Sequence, residues 1–226
     1  MKDDPREKQR DRLITELSRL WKDEQDHFLL ANLIRALDAR YDLLEKAAKE
    51  RGLIEIVTQM AGRLARAFVR LSDLEGKKVL DIACGSNTSK APALLKIDTP
   101  FGKIEVGRST RSYTALFEPW FCRMLLELGA QPVGVDVGDL EGEVFTHYRV
   151  DLGRKGALDF LPTHSFDALQ DSRLFGSPEF TSQFPNQAER LEVACEIRRQ
   201  EERLLKTDGI VIHSDAAQRL KSTARS

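Results

Sequence analysis

The hydrophobic positions of the chain fall into two regimes. From the N-terminus to about residue 75 they recur at helical spacing. "RLITELSRLW" places Leu13, Ile14, Leu17, Leu20 and Trp21 on one stripe. "HFLLANLIRALDARYDLLEKAAKERG" continues the pattern and closes on Gly52, a predicted helix stop. "LIEIVTQMAGRLARAFVRL" predicts a third apolar-faced helix, ending near Ser72 before the turn "SDLEGKK". From Lys78 the pattern changes to short apolar runs. These are "KVLDIA", "PVGVDV" (132–137), "THYRVDL" (146–152), "FDALQDS" (166–172) and "GIVIHSD" (209–215). Helical stretches, "PWFCRMLLELG" and "NQAERLEVACEIRRQEERLLKTDG", stand between some of them. Apolar strands alternating with helices predict an α/β fold with a parallel, doubly wound sheet covered on both faces. The closing "AAQRLKSTARS" is short and polar and reads as a frayed tail.

Composition narrows the function classes. With 226 residues, 41% of them hydrophobic, the chain can bury a real core. The formal net charge of −1 gives no general attraction to nucleic acid or anionic lipid. No apolar run approaches the roughly 20 residues of a membrane span. "MKDDPREKQRDR" is too charged for a signal peptide. Cys84, Cys122 and Cys195 are far apart with no C-x-x-C, which suits a reducing cytoplasm. His27, His147, His164 and His213 are scattered without ligand spacing, so no metal site is expected.

The candidate chemistry sits at the strand ends. In an open parallel sheet, ligands bind at the carboxyl ends of the strands, where the strand order reverses. Asp81, Asp136, Asp151 and Asp171 fall at or near that edge, with Asp215 just past the fifth strand. One such acid is as readily a turn former as a functional group; the recurrence favours function. The first run also stops on a Gly-Ser-Asn turn, "DIACGSN", which a plain structural strand does not need.

That stretch resembles motif I of the class I S-adenosylmethionine-dependent methyltransferases. Ala83 stands for the family's first glycine, Gly85 is kept, and Asn87, which tolerates positive φ, takes the third. "LLELGAQPVGVDVGDL" is similar to the family's helix, glycine and acid-ended second strand. "VDLGRKGALDFLPTHSFDALQDSRLF" is similar to its third acid, variable loop and fourth strand, and "EERLLKTDGIVIHSD" to its fifth. The resemblance covers about residues 76–215. It implies S-adenosylmethionine as cofactor and assigns roles to residues. Asp136, with Val137 beside it, would take the ribose hydroxyls, because a carboxylate suits a vicinal diol. Asp151 would take the adenine amino group, and the Leu152 N–H the ring. Ala83 and Gly85 would let backbone approach the methionine moiety. Asp81 would lie under the turn, orienting it or meeting the ammonium, with the carbonyl near Gln170 or Asp171 as a second acceptor. Asp171, Arg173 and His213 are the catalytic candidates: Arg173 to orient the acceptor, Asp171 or His213 to take a proton.

Two features depart from the family pattern. Asp81 and Asp136 are 55 residues apart, against a usual spacing of about 20. The surplus contains "KIDTPFGKIEV", which reads as a hairpin inside an insertion at about 88–116. It is either a wall over the ligand or a decoration; Arg108 and Arg111 near it are either anion ligands or solvated. The sheet also lacks the family's last two strands, so its expected order is 3-2-1-4-5, mostly parallel. Its fifth-strand edge must then be covered by the tail, the N-terminal helices or a partner. The expected organisation is a helical N-terminal extension or lid (1–75), a cofactor-binding domain (76–215) and a tail (216–226). The expected partners are a small-molecule or protein methyl acceptor, and a second copy through the N-terminal helices. Two rival readings remain: a non-catalytic cofactor-binding or interaction module of the same fold, and a nicotinamide-dependent dehydrogenase. The dehydrogenase requires a G-x-G-x-x-G turn that opens a helix, which this chain lacks.

Overall fold

Four helices open the chain in the computed structural model, which describes residues 5–50, 52–86, 94–99, 102–107, 115–171, 174–175, 180, 183–212 and 217–219. They are α1 (Pro5–Ser18), α2 (Glu24–Tyr41), α3 (Leu43–Lys49) and α4 (Leu53–Ala67). The Asp23 side chain caps α2 by accepting from the Gln25 N–H at 2.8 Å. Leu30, Leu33, Ile34 and Leu37 form its buried stripe. The sequence pattern runs through residue 42 unbroken, but the helix does not. Asp42 adopts φ 54°, ending α2 and starting α3, and the Asp38 carboxylate accepts the freed Leu44 N–H at 3.0 Å. Helix α4 also stops short of Ser72. Phe68 turns extended, and buried Asp26 on α2 accepts the Leu71 N–H at 2.9 Å and pairs with Arg70 Nε at 3.2 Å. A single 3₁₀ turn, Leu71–Leu74, then leads into the sheet.

The sheet contains β1 (Lys78–Ile82), β4 (Gln131–Asp136), β5 (Thr146–Arg149), β6 (Phe166–Gln170) and β7 (Leu205–Ile212). Between β1 and β4 the chain forms a separate antiparallel hairpin, β2 (Leu94–Thr99) and β3 (Gly102–Gly107), then a 3₁₀ turn (Ala115–Phe117) and α5 (Trp120–Glu127). Helix α6 (Gln187–Leu204) joins β6 to β7. The five main strands are parallel in the order β5-β4-β1-β6-β7, which is the expected 3-2-1-4-5. The hairpin lies inside the expected insertion.

The tail differs from a frayed end. Residues 217–219 form β8 (Ala217–Arg219), which pairs antiparallel with β7 from Ile212–Ala217 to Ile210–Arg219. A bare outer edge leaves backbone donors and acceptors unpaired, and the tail supplies their partners. Strand β7 also begins earlier than expected, because α6 hands directly to it at Leu205. A bulge between the Phe166–Leu205 and Ala168–Ile210 pairs absorbs residues 206–209. At the amino end of the strands, Asp167 accepts from the Lys78 N–H at 2.9 Å and from Lys206 Nζ at 2.8 Å, joining β1, β6 and β7.

Alternation along the strands divides the interior in two. Val79, Ala168, Ile210 and Ile212 face one cluster with α1, α2, α4 and α5. Leu80, Ile82, Val133, Val135, Leu169 and Val211 face the other, with Leu152, Leu158, Leu161 and the Ile197–Leu204 stripe of α6. The N-terminal helices therefore form one of the sheet's two covering layers. No helix among the described residues is long and apolar enough to cross a membrane.

A buried ion cluster joins that layer to α5. Arg123, 4% exposed, donates to Glu143 through Nη2 at 2.6 Å and also pairs with Glu118. Glu118 accepts from Lys46 Nζ on α3 at 2.8 Å. The guanidinium lies over Tyr41 of α2 at 4.4 Å and Trp120 at 4.8 Å. Burial opposes its charge, but the bonds from Glu143 and Glu118 outweigh that and raise its pKa further. Removing one member of such a cluster leaves uncompensated buried charge. Arg123→Met is expected to lower unfolding stability by about 3–5 kcal/mol, measured by urea denaturation. A loss below about 1 kcal/mol would show that the cluster is not what fixes the helical layer.

Candidate functional site

The carboxyl edge of the sheet is organised around one turn and one carboxylate. After β1, Ala83 adopts φ 58° and Gly85 φ 99°. The Cys84 N–H bonds the Val135 carbonyl at 3.2 Å, and the Ser86 N–H bonds the Phe117 carbonyl at 2.9 Å. Asp136, the last residue of β4, accepts the Gly85 N–H on Oδ2 at 3.0 Å and the Gly138 N–H on Oδ1 at 2.8 Å. It therefore ties the turn after β1 to the turn after β4. Ser86 packs on Gly138 so closely that a Cβ there would lie 2.4 Å from the serine Cβ. Val137, between Asp136 and Gly138, is 57% exposed.

Asp81 lies beneath that turn, on the α5 side of the sheet. In register it sits between Gly134 and Gln170. Its Oδ1 accepts from Gln170 Nε2 at 3.2 Å and its Oδ2 from the Cys122 thiol at 3.6 Å. Gln170 is buried, and its Oε1 has no hydrogen-bond partner among the described residues. The Cys84 and Cys122 sulfurs both lie against Gly134, and the Cys84 thiol donates to the Gly85 carbonyl at 3.4 Å. Burial, then Cys84 and the Asp81 charge, push the Cys122 thiol well up. For Cys84 the Cys122 thiol pulls the pKa down, but burial and Asp81 win and raise it. Both groups are inert thiols rather than nucleophiles at neutral pH.

The third acid is held differently. Asp151, two residues past β5, accepts from the Gly153 N–H at 3.1 Å, from Gln183 Nε2 at 3.3 Å and from Arg154 Nε at 3.2 Å. Its side chain is 34% exposed, whereas Leu152 is buried. Phe184 lies against Gly153, with its ring 2.3 Å from where a Cβ would stand. Asp171, the residue after β6, faces the α6 side and pairs with Arg198. Asn87, Arg173, His213, Asp215, Arg108, Arg111 and the Pro100–Phe101 tip of the hairpin lie outside the described residues.

The structure thus brings Asp81, Ala83, Gly85, Asp136, Val137 and Gln170 together on three adjacent strands, with Asp151 and Leu152 beyond them. It also supplies a local reason for Gly85. A Cβ at that position would lie 2.1 Å from the Phe117 carbonyl oxygen, so the glycine makes room for the chain's own backbone on that side. Sequence reasoning passed over Arg198 and Glu201, the partners of Asp171 on α6. A signal for Glu201 existed: it lies four residues after Ile197 and three before Leu204, on the buried stripe of its helix. A groove of about 650 Å³ lies elsewhere, lined by Glu16, Ile54, Thr58 and Arg66 among others, and none of the expected site residues borders it.

The chain matches no protein-family model, no curated protein and no solved structure.

Two substitutions in the turn should act in opposite directions. Gly85→Ala meets both a positive φ and the Phe117 carbonyl, and should cost at least about 2 kcal/mol of stability. Ala83→Gly relieves a left-handed alanine and should stay within about 1 kcal/mol of wild type, on the stabilising side. Thermal unfolding of both variants checks this. A tolerated Gly85→Ala would mean that the turn does not press on Phe117.

Proposed function

We propose that the chain is an S-adenosylmethionine-dependent methyltransferase. One observation carries this reading. At the carboxyl edge of a 3-2-1-4-5 sheet, a turn with two positive φ angles stands over Asp81, while Asp136 and Asp151 close the next two strands.

The residues present fit the cofactor in two respects. The buried Gln170 Oε1 lacks a donor among the described residues and lies on the side chain that donates to Asp81, so an ammonium group would find an acceptor there. The Gly85 and Gly138 N–H groups hold the Asp136 carboxylate in place, and the two acceptor oxygens of a carboxylate suit a vicinal diol. Asp136 would hold the ribose hydroxyls, with the exposed Val137 as apolar surface beside them. Asp151 and the Leu152 N–H would read the adenine edge. Ala83 and Gly85, at positive φ, shape the turn that would face the methionine end. The bound cofactor would supply a sulfonium methyl group that is already a good electrophile. The chain's own share is proximity, in-line alignment and, where the acceptor demands it, removal of a proton. Asp171 is the described candidate for that proton; Arg173 and His213, which follow β6 and β7 in sequence, are the further candidates. The acceptor belongs to an open class, a small molecule or a protein.

A second reading, a non-catalytic module of the same fold, is favoured by the chain's own groups at the edge. The Phe117 carbonyl fills the space beside Gly85, and Gln183 and Arg154 occupy Asp151.

Calorimetry with S-adenosylhomocysteine on the full chain tests the proposal. The wild type should bind, and Asp136→Ala should weaken binding by about 1–3 kcal/mol, the cost of leaving buried partners unsatisfied. A wild type that does not bind removes the methyltransferase reading. Equal affinities would retain the cofactor and reject Asp136 as its ribose ligand.

A further inference from the structure

Two buried carboxyl groups meet one guanidinium where β6 ends against α6. Asp171 is 3% exposed and Glu201 is 2% exposed. Arg198, one turn before Glu201 on α6, places Nη1 at 3.1 Å from Asp171 Oδ2 and 2.7 Å from Glu201 Oε2. Its guanidinium is held over the Phe175 ring at 5.8 Å. Among the described residues, one cation therefore faces two acids taken out of water. Glu201 Oε1 is buried with no donor in reach among the described residues. Two carboxylates sharing one buried site cannot both ionise cheaply, and a retained proton removes the excess charge. That proton also supplies the donor that the Glu201 oxygen lacks.

We infer that Asp171 and Glu201 form a one-proton pair, in which Glu201 is a positioning residue that holds the Asp171 carboxyl at the carboxyl edge. The pair stands on the geometry of these three residues. Only its use rests on the methyltransferase reading above. On that reading the acceptor is a neutral N–H, O–H or S–H group. Its lone pair would form the new bond to the methyl carbon as the sulfonium carbon–sulfur bond breaks and leaves its electron pair on sulfur, and the proton the acceptor loses would pass to Asp171, so the pair would go from one proton to two. A permanently charged or aprotic acceptor would not need such a pair.

The sign of the pH dependence follows from the shift. Burial first, then the Asp171 charge, push the Glu201 pKa up from 4.5 to about 8, while Arg198 pulls it down. Among the described residues, the charged groups acting on Glu201 are Asp171, from the end of β6, and Arg198, from its own helix. Between those two pH values the folded chain holds a proton that the unfolded chain has lost. Stability from this group is complete below pH 4.5 and is lost as pH rises towards about 8.

Thermal unfolding of the full chain across this window is the test, with Glu201→Gln as comparison. The wild-type midpoint should fall as pH rises from 4.5 to about 8 and level off above. Glu201→Gln, which replaces the shared proton with an amide N–H, should lose that fall. Infrared spectroscopy on the wild type gives a readout that needs no folded variant. It should show a protonated-carboxyl band at neutral pH that disappears well above pH 8. A midpoint that is flat or rising across the window, or a missing band, overturns the pair. S-adenosylhomocysteine binding separates the two readings: failure to bind removes the methyltransferase reading and leaves the pair standing, whereas a flat pH profile removes the pair alone.

Discussion

The buried guanidinium of Arg123 is the constraint from which the rest of the architecture follows. A charge at that depth is costly unless it is both paired and hydrogen bonded. The chain meets the requirement with groups from four segments. Glu143 comes from the connection after β4, and Glu118 from the segment before α5. Tyr41 and Lys46 come from the N-terminal helices. Arginine suits the position because its flat, weakly hydrated face stacks on Tyr41 and Trp120 while its edge donates to carboxylates. The effect reaches the carboxyl edge. Glu118 follows Phe117, whose carbonyl bonds Ser86 and crowds Gly85. Trp120 Nε1 donates to the Ala115 carbonyl at 2.6 Å, and the Ala115 N–H donates to Glu50 of the helical layer at 2.9 Å. The helices at the start of the chain therefore help to set the backbone of the turn after β1.

Strand alternation then assigns the acids to different environments. Asp81 shares a face with Val79, towards α5, and is held by an amide and a thiol, neither of which brings a formal charge. Asp171 faces α6 and is held by a cation and a second acid. Two carboxyl groups at the ends of paired strands thus receive opposite treatment. One meets a neutral amide and a thiol, the other a cation that it shares with a second acid. Separated environments of this kind let neighbouring acids perform different tasks.

Much of this was legible in the sequence, and the exceptions have physical reasons. The five strands followed from short apolar runs between helical stretches, because a two-sided parallel sheet needs such runs; their order was what the resemblance to the methyltransferases implied. The hairpin at 94–107 followed from its turn residues. The break at Asp42 did not, because a single residue in the left-handed region leaves the apolar spacing on either side intact. Strand β8 was missed because its edge pairing uses backbone groups, and "AQR" has no side-chain pattern to betray it. Among the site residues, the acids at the strand ends were visible as a recurrence. Their partners were not, apart from the one oddity of an acid on the apolar stripe of α6. The crowding of Gly85 by Phe117 joins residues separated by an insertion, and no local pattern encodes it.

The two acids after β4 and β5 differ in how ready they are for a ligand. Asp136 is fixed by two backbone N–H groups from two turns, so its oxygens already have a set direction. A ligand that bonds there spends little on ordering the side chain. Asp151 is half-exposed, and its charged partner, Arg154, is 82% exposed. An exposed pair of this kind holds by about 1 kcal/mol or less, so exchanging Arg154 for a ligand donor costs little. Gln183 is a neutral side-chain contact at 3.3 Å and is equally replaceable. The edge is therefore rigid where it would anchor a ligand through Asp136 and exchangeable where it would read one through Asp151. Gln183 and Arg154 belong to that exchangeable half, whereas the Phe117 carbonyl beside Gly85 is part of the framework itself.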